Sequence, residues 1–362
     1  MKRAAFLAGL VGVLWAVVGG PAAEAGKAPP KVTDEAVRKA IRRGVEYLIK
    51  RQNGDGLWEE KKYHHANEAS GHSELALLTL IYTGEHPNRE YVSKALNVVA
   101  QRPITFTYAV AMRVMALAHV QNKLVERKRD VVRAALKRDV RWLVASQGRH
   151  GGWGYTAVQG SKPSTQYEDF SVTQLVVLAL REAAAAGIEI PRATWQRVQN
   201  RYFAGQHRDG SWSYIDLNDS EGYGSMTAAG LATLFITLDN LDAASGCPCR
   251  GGRSGRHDPE IDRRIDAALA WLEKNFHATK NPNGKGRREK RVHYWQYSVE
   301  RVGMAAGYKY FGGHDWFKEI AGHLIRSQNK DGSWDGNYGK LVWTCFSVMF
   351  LYKGRGPILF NK

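Results

Sequence analysis

Cysteine is scarce in this chain, with only three among 362 residues. Cys247 and Cys249 flank a single proline, and Cys345 lies in an apolar run that is typical of a protein core. Three cysteines in an exported chain do not make a disulfide framework, and a lone Cys-x-Cys lacks the second pair that structural zinc sites usually have. A local disulfide between Cys247 and Cys249 is the favoured interpretation, and part of a metal site near His257 is the alternative. The sequence predicts no bound cofactor.

The apolar run at the start of the chain is too short to cross a membrane. It covers residues 4–18, fifteen in all, whereas a spanning helix needs about 20. Two basic residues precede it and the small-x-small site Ala23-Glu24-Ala25 follows it, as in a secretory signal peptide. We expect residues 1–25 to be removed near Ala25, with a retained membrane anchor as the alternative. Residues 26–362 are then expected to form one domain that is periplasmic or secreted.

Acidic residues are outnumbered, with 35 Asp and Glu against 52 Lys and Arg, a formal net charge of +17. A positive excess favours acidic partners such as anionic lipid, polysaccharide or phosphate. The basic residues are spread over most of the predicted helices, so a soluble cationic surface is the simpler interpretation. We expect a monomer without a nucleic-acid partner. An apolar or anionic ligand, an envelope protein or contact with a membrane surface stays open.

What the chain does contain is one phrase repeated four times: Gln, five residues, then Trp. The copies are Gln52 to Trp58, Gln147 to Trp153, Gln206 to Trp212 and Gln328 to Trp334. Each copy has a Gly two residues before its Trp and follows an amphipathic stretch, which identifies a repeat architecture. We expect the Gln amide to bond backbone groups of a neighbouring turn and the indole to cover the junction between helices. A carbohydrate-stacking role for the indoles is the alternative.

Apolar periodicity predicts six pairs of helices and no strand pattern long enough to compete. The first helix of each pair has a single apolar stripe, over residues 35–52, 91–101, 131–147, 193–206, 259–276 and 316–328. The second is apolar nearly all round, over residues 68–83, 105–121, 170–186, 225–241, 293–310 and 340–353. Helices of the second kind must be buried on both sides, which predicts an inner ring inside an outer ring. The fold class is therefore an all-α (α/α)6 toroid, and a straight solenoid of helix pairs is the competitor.

The phrase, placed after an outer helix such as the one that contains Tyr47-Leu-Ile49, resembles the Gln–Trp repeat of squalene–hopene cyclases. Protein prenyltransferase β subunits share that toroid. The segment 294–303, with Gly312-Gly-His-Asp-Trp316 and Thr344-Cys-Phe346, is also similar to exported bacterial single-toroid proteins of undetermined activity. The resemblance covers nearly the whole mature chain and implies a terpenoid-cyclase-like toroid.

The catalytic motifs of those families do not carry over. Cyclases of this kind protonate their substrate with an Asp-x-Asp-Asp motif, and the nearest match here is Asp216-Leu-Asn-Asp219 on a loop. Prenyltransferases bind zinc through an Asp, a Cys and a His, of which only His293 and Cys345 have counterparts. The thioester phrase of complement-type toroids is absent as well. The resemblance therefore implies the fold and leaves the activity open.

Several side chains are nevertheless candidates for chemistry at the rim where the inner helices begin. His72 and Glu74 form the best acid–base pair, and Asp216 and Asp219 are weaker candidates. Asp169 is a candidate for the ligand cavity, although an Asp at that position is also a natural helix N-cap. The aromatic candidates for the cavity are Tyr108, Trp295, Tyr297 and Trp343. These rings could stabilise a carbocation or simply fill the barrel.

Three functions from different classes remain. The first is a non-enzymatic toroid that binds a ligand or partner, and it is favoured because the catalytic motifs are missing. The second is a degenerate terpenoid-cyclase-like enzyme with a relocated acid, which requires an apolar central cavity. The third is a polysaccharide lyase or glycosidase, which would need paired acids or a Tyr/His/Arg cluster in an open cleft. Fold alone does not decide among them.

Overall fold

Two concentric rings of α-helices form the architecture of the computed structural model, which describes residues 32–58, 71–156, 168–215, 221–242 and 259–354. The outer helices are α1 (Asp34–Arg51), α3 (Glu90–Val99), α5 (Glu126–Ala145), α7 (Arg192–Gly205), α9 (Pro259–Asn275) and α11 (Trp316–Ser327). The inner helices are α2 (His72–Tyr82), α4 (Thr107–Val120), α6 (Phe170–Ala185), α8 (Gly224–Asp242), α10 (Val292–Ala306) and α12 (Lys340–Lys353). Outer and inner helices alternate along the chain, as the periodicity predicts.

The inner ring is closed. Each inner helix contacts the next from α2 to α12, and α12 packs back against α2. At this closing contact the thiol of Cys345 lies against the hydroxyl of Thr79, and burial raises the pKa of the thiol to about 12. A straight solenoid has no contact between its first and last inner helices, so the toroid prediction is confirmed.

Burial explains why the two sets of helices take different rings. Every residue of α2, from His72 to Tyr82, is buried, because α2 has neighbours on all sides. In α1 the buried positions follow one stripe that includes Val37, Ile41 and Leu48, and the other faces meet solvent. An apolar helix is therefore more stable in the inner ring, because burial contributes about 25 cal/mol of free energy per Å² of apolar surface removed from water.

The four Gln side chains join neighbouring outer helices. Each donates one hydrogen bond to the Gly carbonyl of its own turn and a second to a carbonyl of the next outer helix. The second acceptors are Tyr91 for Gln52, Thr194 for Gln147, Arg264 for Gln206 and Ala40 for Gln328, at 2.8–3.2 Å. The Gln328 bond joins α11 to α1 and thus closes the outer ring. The amide role predicted from the sequence is confirmed.

The four Trp side chains fix each turn against its own outer helix. Each indole nitrogen donates to a carbonyl ten residues earlier: Trp58 to Leu48, Trp153 to Leu143, Trp212 to Tyr202 and Trp334 to Leu324, at 2.6–2.9 Å. Each Trp backbone amide donates to a hydroxyl of the following inner helix, as Trp153 does to Thr173 at 3.0 Å. One residue thus holds an outer helix, a turn and an inner helix together.

Glycine two positions before each Trp is required by geometry. Gly332 has a φ of 90°, and a Cβ there would lie 2.2 Å from the backbone oxygen of Arg43 on α1. Gly151 and Gly210 have the same relation to α7 and α9, also at 2.2 Å. The turn therefore packs directly on the backbone of the next outer helix.

The second pair of helices lacks the phrase and is joined by an ion pair instead. Gln101 donates only within its own helix, to Asn97. Arg113 on α4 donates to the carbonyl of Val99 at the end of α3 and forms a buried pair with Asp139 on α5, at 2.6 Å. Buried Arg113 thus makes the connection between outer helices that Gln makes elsewhere.

Three helix bounds differ from the sequence prediction by four or more residues. Helix α2 begins at His72 rather than at residue 68, because Gly71 before it adopts the left-handed conformation with a φ of 84°. Helix α5 begins at Glu126 rather than at residue 131, since the short 3-10 helix Gln121–Lys123 leads directly into it. Helix α10 ends at Ala306 rather than near 310, because Gly307 adopts the left-handed conformation with a φ of 69°. Two short strands, β1 (Tyr310–Phe311) and β2 (His314–Asp315), follow it as a hairpin. No helix in the described part of the chain is long and apolar enough to cross a membrane.

Candidate functional site

A cavity of about 600 Å³ opens where the inner helices begin. Five inner helices, α2, α4, α6, α10 and α12, contribute to its wall. Its lining includes polar and aromatic side chains, namely His72, Phe106, Tyr108, Tyr155, Ser171, Arg291, Tyr294, Tyr338, Trp343 and Phe346. Leu75, Met112 and Leu175 form its apolar floor. The volume lies within the range of about 300–1,000 Å³ that is usual for ligand pockets.

Aromatic rings form the entrance. Tyr155 and Tyr338 are 43% and 41% exposed, although most large apolar side chains of the toroid are buried. Tyr155 packs against Phe106 and Tyr108, with ring centroids 5.9 and 5.5 Å apart. Backbone contacts hold this side of the mouth, because the amide of Thr107 donates to the Tyr155 carbonyl at 2.8 Å. The cavity therefore opens to solvent between two phenol rings.

A buried carboxyl group lies behind one wall of the cavity. Asp169 caps α6 by accepting from the amides of Ser171 and Val172 at 2.9 and 2.8 Å. Its Oδ1 also accepts from the Ser171 hydroxyl at 2.7 Å, and that hydroxyl lies 2.6 Å from the Tyr108 hydroxyl. Its Oδ2 is buried without a hydrogen-bond partner in the described structure. Burial raises the pKa of Asp169, although the hydrogen bonds from Val172 and Ser171 oppose the rise.

Beside the lining residue Trp343 lies a histidine that stays neutral and does not itself line the cavity, and an arginine lines the cavity nearby. His293 stacks on Trp343 with centroids 5.1 Å apart, and burial lowers its pKa to about 4. Its Nδ1 lies 3.0 Å from the Ser347 hydroxyl. Arg291 precedes α10, and its guanidinium lies over the ring of Tyr338, 5.9 Å from the centroid.

The two acid–base candidates on α2 face different surroundings. His72 lines the cavity and is 6% exposed. Glu74 is fully buried away from the cavity, where Nε and Nη2 of Arg102 donate to its two carboxylate oxygens at 2.7 and 2.5 Å. A two-point contact of this kind holds a carboxylate as the ionised partner of the guanidinium. The structure therefore does not bring Glu74 together with His72 at the cavity.

The predicted aromatic residues divide into two groups. Tyr108 and Trp343 line the cavity. Trp295 donates to the His277 carbonyl at 2.8 Å and packs on Phe276, so its indole fixes a junction as the repeat indoles do. Tyr297 lies under the guanidinium of Arg301. This guanidinium forms a buried ion pair with Glu300, so the two charges compensate each other.

Asp216, Asp219, Cys247 and Cys249 lie outside the described residues. His257 also lies outside them. Within the described part of the chain, no group of three His, Cys, Asp or Glu residues is placed to hold a metal ion.

Several residues of the cavity mouth could not be assigned to it from the sequence. Tyr155 and Tyr338 lie in loops without helical periodicity, so nothing in the pattern assigns them to the cavity. Phe106 falls in the predicted inner helix 105–121, but in the structure it lies directly before α4. Arg291 ends a basic stretch, which is typical of a solvated loop. Its position one residue before an inner helix is the only available signal.

Neither a protein-family model nor a curated protein matches the sequence. Solved structures do match. A type II terpene cyclase from Scytonema in complex with geranylgeranyl dihydroxybenzoate is 15% identical, with 88% of this chain and 97% of that chain covered at a TM-score of 0.50. A family 76 glycoside hydrolase (mannosidase) from Bacteroides thetaiotaomicron is 9% identical, with 88% and 97% covered at 0.56. Another from a bovine strain of that species is 8% identical, with 88% and 77% covered at 0.58.

These likenesses define the class of protein by fold alone. The chain is an (α/α) toroid, an architecture that terpene cyclases and family 76 glycoside hydrolases both use. At such low identity the neighbours' activities do not transfer to this chain.

Proposed function

We propose that this toroid binds an apolar small molecule in its central cavity. The observation that carries the proposal is a space of about 600 Å³ lined mainly by aromatic and aliphatic side chains and open through two half-exposed phenol rings. Pockets of this size and lining bury most of the surface of a small ligand. Each methylene moved from water into such a site contributes about 0.8 kcal/mol.

Packing on the walls supports a preformed site. The ring of Phe346 contacts Tyr294, Tyr297 and Trp343, with centroids 5.1–6.2 Å apart. The Tyr294 hydroxyl donates to Gln174 at 2.6 Å, which fixes the ring. Rigid walls of this kind keep a cavity open, because the surrounding side chains cannot collapse into it.

We further propose that the ligand is met outside the cytoplasm, after removal of residues 1–25, and that the toroid acts as a monomer. The N-terminal sequence pattern supports export. Contact with a membrane surface or an envelope protein would deliver an apolar ligand to the mouth.

The proposal is tested by extracting lipid from the purified mature protein and identifying bound molecules by mass spectrometry. Val342→Trp places a bulky ring in the cavity wall, and Val131→Trp places the same ring on the exposed face of α5 as the matched control. We expect one apolar species to copurify with the wild type and the control and to be lost from Val342→Trp. Circular dichroism checks that both variants keep their helices. Equal amounts of ligand in all three proteins would contradict the cavity as its site.

A second candidate function, acid-catalysed rearrangement of an apolar alkene, is favoured by Asp169. Its pKa is raised by burial, so a proton can be retained in a water-poor site. The hydroxyls of Ser171 and Tyr108 connect it to the cavity. The Tyr108 O–H bond would break as a C–H bond forms on the alkene, while the Ser171 proton moves to Tyr108 and the Asp169 proton moves to Ser171. The reverse transfers would return a proton to Asp169 when the rearranged cation loses one. Nearby phenol rings could stabilise that cation.

The isosteric variant Asp169→Asn separates this chemistry from binding. Asn is as good an N-cap as Asp, so the fold is retained. If Asp169 is the acid, turnover of a polyene such as squalene falls by roughly 100-fold or more. Wild-type protein that binds the polyene without converting it would leave binding as the sole function. No carboxylate pair lines the cavity among the described residues. The lyase or glycosidase alternative stays open, because the lining contains Tyr, His and Arg side chains and family 76 glycoside hydrolases share the fold.

A further inference from the structure

Among the described residues that line the cavity, Arg291 is the one with a permanent charge. It lies one residue before α10 and lines the cavity beside Tyr338. Its guanidinium also lies over the ring of Tyr214, 5.7 Å from the centroid, on the other side of the mouth. Aromatic faces attract a cation, by about 0.5–1 kcal/mol at exposed sites and more when water is excluded. The two phenols therefore hold the guanidinium at the mouth of an otherwise apolar space.

Among the described residues Arg291 has no carboxylate partner, whereas other buried arginines have one. Arg113 is paired with Asp139 at 2.6 Å, and Arg301 is paired with Glu300 at 2.5 Å. Arg291 is half-buried, and its Nε is fully covered without a hydrogen-bond partner within the described chain. Removing part of a cation from water without a paired anion is unfavourable. A ligand that brings the anion would remove this penalty.

The rest of the mouth also favours negative charge. The described lining of the cavity contains no Asp or Glu side chain. Helices α2, α10 and α12 all begin at this lining, and none has a side-chain cap at its N-terminus. The N-terminal end of a helix carries a partial positive charge.

We propose that the ligand is an amphiphile with an apolar tail and an anionic oxygen head, either a carboxylate or a phosphate, and that Arg291 binds the head. This inference rests on the proposed function, because the tail occupies the same cavity. The tail lies over the apolar floor formed by Leu75, Met112 and Leu175, and the head lies between Tyr214 and Tyr338. Guanidinium recognises both carboxylate and phosphate through paired hydrogen bonds.

Titration calorimetry with three probes of equal chain length tests the proposal. The probes are dodecanol, dodecanoate and dodecyl phosphate, each at a concentration below micelle formation. The buffer pH lies above the pKa of the carboxylic acid and the first pKa of the phosphate, so both of these probes are anions. A hydrogen-bonded charge pair predicts that at least one anion binds roughly 10- to 100-fold more tightly than dodecanol. The stronger of the two anions identifies the head group as carboxylate or phosphate.

Two matched variants assign the effect to one side chain. In Arg291→Gln the preference for the anion should disappear, while the affinity for dodecanol changes by less than about threefold. Retained dodecanol binding also shows that the variant has folded. Arg287→Gln removes the same charge from an exposed site on the same loop and should keep the preference. Arg291→Lys should keep only part of it, because an ammonium cannot form the paired contact.

The possible outcomes separate the inference from the proposed function. Equal binding of the alcohol and both anions to the wild type would overturn the role of Arg291 and leave the apolar cavity as the binding site. An anion preference that survives Arg291→Gln would also overturn it. If none of the three probes binds, the proposed function fails and the inference fails with it.

Discussion

Ring closure by the Gln side chains can be measured as a loss of stability. Gln328 on the last turn donates to Gly332 at 2.9 Å and to Ala40 on the first helix, also at 2.9 Å. Both bonds are partly buried, and each contributes about 0.5–1.5 kcal/mol. We therefore expect Gln328→Ala to lower the free energy of unfolding by about 1–3 kcal/mol. Gln147 makes the equivalent two bonds, one to Gly151 in its own turn and one to Thr194 on the next outer helix. Gln147→Ala should therefore have a similar effect.

The matched control is Gln101→Ala. Gln101 is exposed and donates only within its own helix, so its removal should change stability by less than about 0.5 kcal/mol. Urea unfolding followed by circular dichroism measures all three variants. If the ring were open, Gln328 would keep only the bond to Gly332 and would lose about half of its effect. A loss of stability for Gln328→Ala that is half of the loss for Gln147→Ala or smaller, each measured against Gln101→Ala, would refute the closed toroid.

Three further predictions follow from buried groups. Arg113→Met leaves buried Asp139 with only the half-exposed Arg138 as a partner and should cost up to about 3 kcal/mol in urea unfolding, whereas the double variant with Asp139→Leu should recover part of that loss. Gly332→Ala should destabilise by at least about 2 kcal/mol more than Gly187→Ala, since both have positive φ but only Gly332 has a backbone oxygen 2.2 Å from the new Cβ. The folded state lowers the pKa of His293 from 6.5 to about 4, so its stabilising contribution is present above pH 6.5 and is lost as pH falls toward 4. This loss of unfolding free energy amounts to on the order of 3 kcal/mol, and it should be absent from His293→Asn. If the unfolding free energies of the wild type and His293→Asn depend on pH in the same way, the lowered pKa of His293 is contradicted.

The order of the helices could be predicted from the sequence because each pair contains one helix with a single apolar stripe and one that must be buried on all sides. A stripe of apolar residues as in α1, followed by a helix as apolar as α2, can be buried only with the second inside the first. The turn phrase then marks where each outer helix ends. The start of α5 was misplaced because Arg127 to Asp130 are polar on all sides and carry no periodic signal.

The site was less predictable because a cavity is a property of packing. Whether rings such as Tyr108 and Trp295 fill a barrel or line a space depends on the distances between helices, and periodicity does not contain these distances. Trp295 proved to bond a junction carbonyl, as the repeat indoles do. Asp169 was recognised as a helix cap, but the burial of its second oxygen depends on neighbours that are far away in the chain.

The most direct test of the account is a crystal structure with ω-bromododecanoate, whose bromine can be located by anomalous scattering. One strong bromine peak is expected inside the cavity, near Met112, Leu175 and Phe346, with the carboxylate at Arg291. A fully occupied ligand on the outer surface, together with an empty cavity, would contradict it.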